Sequence, residues 1–522
     1  MPPDYHKVSF TTRDWSLERL LKKGERFFPV PRVSAVAGGQ SPLKETLRQY
    51  DRDTIPLVVE DWHKHPDWLG QKFNLEWLRE HGQKDIAVRN IHDWSDHTVS
   101  LEQFTKHCRS ASHFVAPGET VRWYGKDAEC PADWDQWLHK SGVFPSRLLP
   151  NDPQNYLTNL PKSAAVETLM CYLGIGETFT PCHKDLCASS GQNLMCYTEN
   201  DGSSFWFMTK GSDALDVAEY FRALKQELDH ETHFITIEEL ARAPFDVYIT
   251  QQRLGDLVLV PPRSSHQVVN YGGITIKTSW SRMTLKGLVV ALHHELPIYQ
   301  RVCRRETYRI KSTIYHALHR SRLELEDLPK KDRSRRKKAN DLSQLLRLFD
   351  YILTNECPPK DIQIPRLSET SGCDENDEDV HVVCDFCGAD AFQSFFECRT
   401  CVLSSSESSA SMTHGNGYTL CSACYSEGRS CHCETMEAVQ CRPFEALVEE
   451  RQKTIKVLKE CEALMSSLQF GLVQEKLALL LLSLHCANRV QRKSFLDDRS
   501  GVFRAACVLA DQRRLAVCSW QL

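Results

Sequence analysis

The sequence has no apolar run long enough to cross a bilayer. The longest, from Leu477 to Leu484, is far short of the ~20 residues that a membrane helix needs. Nor is there an N-terminal apolar stretch of the kind that forms a signal peptide, which points away from secretion. Charge of one sign is not in excess either. Against 64 Lys and Arg stand 69 Asp and Glu, a formal net charge of −5, so nothing global favours non-specific nucleic-acid binding. No internal repeat is visible, which excludes solenoids and propellers. What remains, at 41% hydrophobic and 25% charged residues, has the composition of a globular protein. A chain of 522 residues is long enough for two to four domains.

Cysteine, by contrast, is plentiful. The chain has 22, and its Cys-x-x-Cys pairs fall late in the sequence. Without a secretion signal that spacing reads as zinc in a reducing compartment, not as disulfides.

The stretch on which the first half turns is Thr178-Phe179-Thr180-Pro181-Cys182-His183-Lys184-Asp185, after a strand-like run from Glu167 to Leu173. On an extended backbone, residues two apart share a face. His183 and Asp185 then supply two thirds of a 2-His-1-carboxylate facial triad, the arrangement that holds non-haem Fe(II) and leaves one face open. His-x-Asp alone is a weak signal in a chain with 21 histidines, and it needs a third ligand.

That ligand is found downstream. Residues 245–249 read as a strand, Gly255-Asp256 as a turn, and Leu257 to Val260 as an apolar strand ended by Pro261-Pro262. Ser265 to Asn270 and Ile274 to Trp280 follow, separated by Tyr271-Gly272-Gly273, which reads as a hairpin loop. In that hairpin register His266 lies opposite Lys277. An ammonium beside a metal site suits a dicarboxylate cosubstrate, whose far carboxylate needs a point charge.

As a set, these motifs resemble the JmjC-domain oxygenases, in particular a fungal group that is histone-demethylase-like. The resemblance covers roughly residues 56–297. It implies a double-stranded β-helix (cupin) in a mixed α+β chain, with iron held by His183, Asp185 and His266 and with 2-oxoglutarate as cosubstrate. Many JmjC enzymes carry the 2-oxoglutarate lysine at the start of the second strand after the His-x-Asp motif. Here that strand is Ser203-Ser204-Phe205-Trp206-Phe207, with serines in that place, and Lys277 looks like the replacement. Thr180 and Asn193 match positions that often line the cosubstrate pocket, and Tyr172, from the strand before the motif, is a further candidate. The implied reaction is oxidative decarboxylation of 2-oxoglutarate coupled to hydroxylation of a substrate C–H bond. On an N-methyl-lysine of a histone tail this ends in formaldehyde and demethylated lysine. A stable protein hydroxylation at the same site, or a catalytically inactive chromatin-binding scaffold, are the alternatives.

Taken in order, residues 1–45 form an N-terminal segment with a short helix capped by Ser16. Residues 46–285 form the oxygenase domain with its lead-in, where tryptophans at 62, 68, 77, 94, 123, 134 and 137 read as core. Between 209 and 244 the periodicity turns helical, an insertion of the sort that walls a substrate entrance. Residues 286–365 are helical and include the basic run Lys330-Lys331-Asp332-Arg333-Ser334-Arg335-Arg336-Lys337-Lys338, a nuclear localisation signal or a nucleic-acid contact, and a nuclear protein is expected. An acidic linker spans 366–382.

Residues 383–441 carry Cys384-x2-Cys387, Cys398-x2-Cys401, Cys421-x2-Cys424 and Cys431-His432-Cys433, enough ligands for two tetrahedral zinc ions. The module resembles a cross-braced ZZ-type finger. That would give Cys384, Cys387, Cys421 and Cys424 one zinc, and Cys398, Cys401 and two of Cys431, His432 and Cys433 the other. Such a site is structural, and its expected work is to bind a protein partner. A long helix over 442–490 and an uninformative tail over 491–522 complete the chain.

Overall fold

The computed structural model describes residues 10–36, 40–359, 363–367, 381–398, 418–466 and 501–520. The chain divides into two compact units. One comprises residues 1–158 and 166–290, the other residues 159–165 and 291–522.

The first unit is built on two facing sheets. In chain order its strands are β1 (Phe27–Pro29), β2 (Arg32–Ser34), β3 (Leu57–Glu60), β4 (Asp85–Asn90), β5 (Asp96–Ser100) and β6 (Trp123–Glu129). Then come β7 (Met170–Gly174), β8 (Phe179–Lys184), β9 (Ser190–Thr198), β10 (Ser203–Met208), β11 (Val247–Gln252), β12 (Leu257–Val260), β13 (Ser265–Tyr271) and β14 (Thr275–Arg282). The smaller sheet has the order β1-β11-β10-β13-β8, the larger β2-β3-β12-β9-β14-β7-β6-β4-β5. From β7 to β14 the chain changes sheet at almost every strand, which is the winding of a double-stranded β-helix.

Period-two alternation decides which residues fill the space between the sheets. In β12, Val258 and Val260 face inward while Leu257 and Leu259 pack on the outer core. In β10, Trp206 and Met208 are interior and Phe205 and Phe207 exterior. Both faces of these strands are buried, so their sequences read as continuous apolar runs rather than alternating ones.

The lead-in covers the outer face of the larger sheet. Trp62 and Trp134 lie in that core beside Trp280, with Trp68, Trp77, Trp123 and Trp137 packed against it. The helices there begin at the expected caps. Asn74 accepts from the amide of Trp77 at 2.7 Å, and Ser100 forms a reciprocal capping box with Gln103. The N-terminal segment is not a separate piece. After the Ser16-capped helix Leu17–Leu21, its β1 and β2 extend one sheet each.

Two expectations change. Tyr271-Gly272-Gly273 does not close a hairpin. β13 pairs with β8 and β10, and β14 pairs with β7 and β9 in the other sheet. Alternating strands and a Gly-rich turn look the same in sequence whether the chain folds back or crosses over. Lys277 therefore opposes Tyr172 and Met195, not His266, whose cross-strand neighbours are His183 and Met208. The 209–244 insertion is helical as expected (Ala214–Ala223 and Ile237–Ala241), but it covers the outer face of the smaller sheet, where Val217, Phe221, Leu228 and Leu240 join its core.

The second unit holds the helices Ile310–Asp327, Arg335–Glu356, Phe444–Ser466 and Val502–Trp520, and a small sheet of β15 (Ser394–Cys398), β16 (Tyr418–Cys421) and β17 (Glu437–Gln440). Helix Val502–Trp520 lies in the tail that the sequence left unread. Phe503, Ala506 and Cys507 pack with Phe396, Leu420 and Tyr425 around the cysteine pairs. Cys401, residues 404–411, most of the acidic linker and the part of the 442–490 helix beyond Ser466 lie outside the described residues.

Candidate active site

β8 and β13 lie side by side with His183 directly opposite His266. Asp185 follows the end of β8 in an extended conformation (φ −59°, ψ 148°), just before a short 3-10 turn. One ligand atom from each of His183, Asp185 and His266 lies within 4.8 Å of the others. The two imidazole centroids are 4.1 Å apart, and His266 Nε2 is 4.0 Å from Asp185 Oδ1.

The rings are oriented alike. His183 Nδ1 is 2.9 Å from the Pro181 carbonyl and His266 Nδ1 is 3.2 Å from the Ser264 carbonyl. A carbonyl only accepts, so each Nδ1 carries the proton and each Nε2 keeps its lone pair. Two imidazoles beside one carboxylate form a donor set suited to Fe(II). Trp206, itself fixed by a 2.8 Å hydrogen bond from Nε1 to Gln252 Oε1, stacks on His266 at 5.8 Å and 19°.

Sequence reasoning missed Gly191. It lies on β9 opposite Val260, and a Cβ there would stand 2.3 Å from Asp185 Oδ2. Only glycine leaves the carboxylate its place. The one-letter pattern gives no sign of this, because the approach comes from a neighbouring strand. On the outer side, a buried ion pair of Lys184 with Asp229, 3.2 Å, ties β8 to the insertion.

Further along the same interior lies Lys277, 1% exposed. Its Nζ donates to Asn270 Oδ1 at 2.7 Å and to Ser204 Oγ at 2.9 Å. Asn270 is held in turn by Thr178 Oγ1 at 2.8 Å. No carboxylate pairs with this ammonium among the described residues, and burial alone pushes its pKa down to about 7. A buried lysine surrounded by neutral oxygens is an incomplete ion pair.

The three other expected pocket residues are placed differently from one another. Tyr172 opposes Lys277, and its hydroxyl donates to Asp127 Oδ1 at 2.8 Å. Burial and that carboxylate hold its pKa well above 10. Thr180 Oγ1 donates to the hydroxyl of Tyr124, 3.3 Å away on β6, a residue the sequence had not singled out. Asn193 Oδ1 accepts from Gln252 Nε2 at 3.1 Å, spanning from one sheet to the other.

In the second unit, thiols of Cys384, Cys387, Cys421 and Cys424 come together, as do those of Cys398, Cys431 and Cys433. His432 is exposed and belongs to neither group, and Cys401 lies outside the described residues. The first and third Cys-x-x-Cys pairs thus share one centre and the second pair's Cys398 meets the terminal cluster, a cross-braced arrangement. Phe396 and Tyr425 stack at 3.9 Å and 5° in the core that these cysteines share.

Residues 170–281 match the family described as JmjC domain, hydroxylase, so this stretch is a JmjC domain, and its two facing sheets are the cupin-like sandwich that such a domain implies. Over 446 residues the chain is similar to C-module-binding factor A of Dictyostelium discoideum, at 30% identity. That match takes in 78% of this chain but 41% of the relative, so the chain spans less than half the relative's length.

Proposed function

We propose that the protein is an Fe(II)- and 2-oxoglutarate-dependent dioxygenase that removes N-methyl groups from lysine in a protein substrate, a histone tail being the expected one. The observation that carries the cosubstrate reading is Lys277. An ammonium buried without a counter-ion, in the same sheet-lined interior as His183, Asp185 and His266, is complemented by the distal carboxylate of a diacid. Bound iron and 2-oxoglutarate would together supply the oxidising power to hydroxylate a C–H bond, with succinate and CO2 as co-products.

The chain's own residues do the rest. His183, Asp185 and His266 would hold the metal. The Pro181 and Ser264 carbonyls fix both imidazole tautomers. Lys277, oriented by Ser204 and Asn270, would set the position of the cosubstrate's far end. Tyr172, Thr180 and Asn193 would line the wall between anchor and metal. The apolar interior of Trp206, Val258, Val260 and Val268 excludes water from the same space. Methyl-lysine as substrate and a nuclear location rest on the resemblance to demethylase-like JmjC proteins and on the basic run. The cysteine groups suit two structural zinc ions, which would leave the finger free to bind a protein partner.

The test is mass spectrometry of methylated histone peptides incubated with the iron-loaded protein and 2-oxoglutarate, with succinate measured in parallel. Loss of methylene masses, absent in His183→Ala, is expected. Gain of a single stable oxygen would instead make the protein a hydroxylase. Absence of any succinate would remove the catalytic reading.

A further inference from the structure

The basic run at 330–338 is divided by the fold into two kinds of cation. Arg335 and Lys338 are structural. The Arg335 guanidinium donates to the Leu325 and Leu328 carbonyls, at 3.0 and 2.6 Å, closing the C-terminal end of helix Ile310–Asp327. Lys338 reaches Glu324 at 2.7 Å. The remaining five, Lys330, Lys331, Arg333, Arg336 and Lys337, are exposed. Among the described residues none of the five forms an ion pair, and only Lys337 has a carboxylate one turn on, that of Asp341. The carboxylate inside the run, Asp332, is turned onto the amide and hydroxyl of Ser334, at 2.7 and 2.6 Å.

The position of these cations is unfavourable for the helix that bears them. Helix Arg335–Glu356 has no acidic residue in its first turn, where the backbone dipole is already positive. Two exposed cations there, and three more in the turn just before it, repel one another and the helix end. An approaching polyanion reverses every one of these terms.

We propose that this corner, the turn 328–334 with the first turn of helix Arg335–Glu356, docks on the phosphate backbone of duplex DNA. A receptor for extended basic peptides fits less well. Withdrawing the run would break the Arg335 contacts and unwind a helix anchored by buried Leu342, Leu345, Phe349 and Leu353. An acidic protein surface fits less well too, since the corner offers no aromatic residue and its one large apolar side chain, Leu328, is already half-buried, leaving no anchor around which a protein interface forms. The same lack excludes base stacking, and with it single strands. Since the whole chain carries a net charge of −5, the attraction is local to this corner.

The experiment is fluorescence anisotropy of the full chain with a labelled duplex of arbitrary sequence across a salt series. With four or five phosphates contacted, the log–log salt dependence of the association constant has a slope of about −4. Lys330→Gln with Lys331→Gln lies outside any helix, so it leaves the melting temperature unchanged and flattens the slope by about 2. Arg336→Gln with Lys337→Gln, tested separately, does the same. An unchanged slope in both pairs would place DNA binding elsewhere, on the zinc module for instance, and overturn the proposal. So would displacement of the DNA by polyglutamate at equal charge, which would identify an acidic protein as the ligand. Neither outcome touches the oxygenase reading, which is followed by succinate formation in the same samples.

Discussion

Lys277 and Ser204 stand on opposite sheets, and the lysine Nζ lies 2.9 Å from the serine Oγ. Ser204 is at the start of β10, where many JmjC enzymes carry their cosubstrate lysine. Under the proposed function, Lys277 supplies that charge from the facing sheet. Lys277→Ala is expected to raise the KM for 2-oxoglutarate by about 30-fold to a few thousand-fold, about 2–5 kcal/mol of lost pairing. Adding Ser204→Lys to that variant should restore at least about a tenth of the activity, because the new ammonium comes from the position directly opposite Asn270, the acceptor that remains. A double variant as dead as the single one would show that the strand of origin matters, and that the two anchors are not equivalent.

The same burial predicts a pH dependence. The Lys277 pKa of the cosubstrate-free protein is depressed to about 7 by desolvation, and its neighbours Ser204 and Asn270 carry no charge. Cosubstrate binding needs the charged form. Affinity for 2-oxoglutarate is therefore highest below that pKa and falls about tenfold per pH unit above it. For the free protein the sign is opposite. The folded state holds less proton than the unfolded one between about 7 and the ordinary lysine value, so stability contributed by this site rises with pH through that window. Lys277→Arg, charged throughout, should remove the break in affinity. A break that persists in Lys277→Arg belongs to another group.

Gly191→Ala tests the metal ligand without touching it. The added methyl carbon would stand 2.3 Å from Asp185 Oδ2 and push the carboxylate off its position. Fe(II) affinity should drop by about 10- to 100-fold, as when the support of a metal ligand is lost. Titration with Co(II), followed by its ligand-field absorption, reads this directly. Retained affinity would mean that Asp185 can bind from another rotamer.

Glu177 is a structural staple. Its carboxylate, 1% exposed, accepts from the Thr12 and Val115 amides at 2.6 and 2.5 Å and from the Thr11 hydroxyl at 2.9 Å. It joins the N-terminal segment to the turn that precedes the His183 strand. Glu177→Ala leaves buried donors unsatisfied and should cost about 2–4 kcal/mol in chemical denaturation. A loss below about 1 kcal/mol would mean that water replaces the carboxylate.

Zinc should be present at two equivalents per chain as purified, released by a strong chelator with loss of helical signal from the second unit. Its cysteine centres share a core with Phe503 and Cys507 of the last described helix, so chelation should also expose that helix to protease. A single equivalent would mean that one of the two cysteine groups does not hold metal.

The grouping of His183, Asp185 and His266 was legible because its signals are local. His183 and Asp185 are two residues apart, and His266 lies in an apolar strand whose turn signals bound it on both sides. The capped helices at Ser16, Asn74 and Ser100 were legible for the same reason. What the sequence hid is what depends on partners distant in the chain. The step from β13 to β14 has the composition of a hairpin, and only the pairing of each strand with its neighbours reveals the crossover. Gly191 carries no local mark, since the carboxylate it accommodates belongs to another strand. Tyr124 and Asp127 come from a lead-in strand whose place beside β7 no periodicity announces. Helix Val502–Trp520 lies in a tail that held no motif, and its core role appears only against Phe396 and Leu420.

The crossover at Tyr271-Gly272-Gly273 has a consequence for selectivity. It places His266 and Lys277, eleven positions apart, on strands of opposite sheets of the sandwich. The lysine side chain crosses the sandwich, and its Nζ is held by Ser204 and Asn270 of the sheet that also carries His266. Under the proposed function, the span a diacid must bridge therefore runs along β13, from His266 to Asn270, about 13 Å at the rise of a strand. That length belongs to the backbone of one strand and not to a loop that could give.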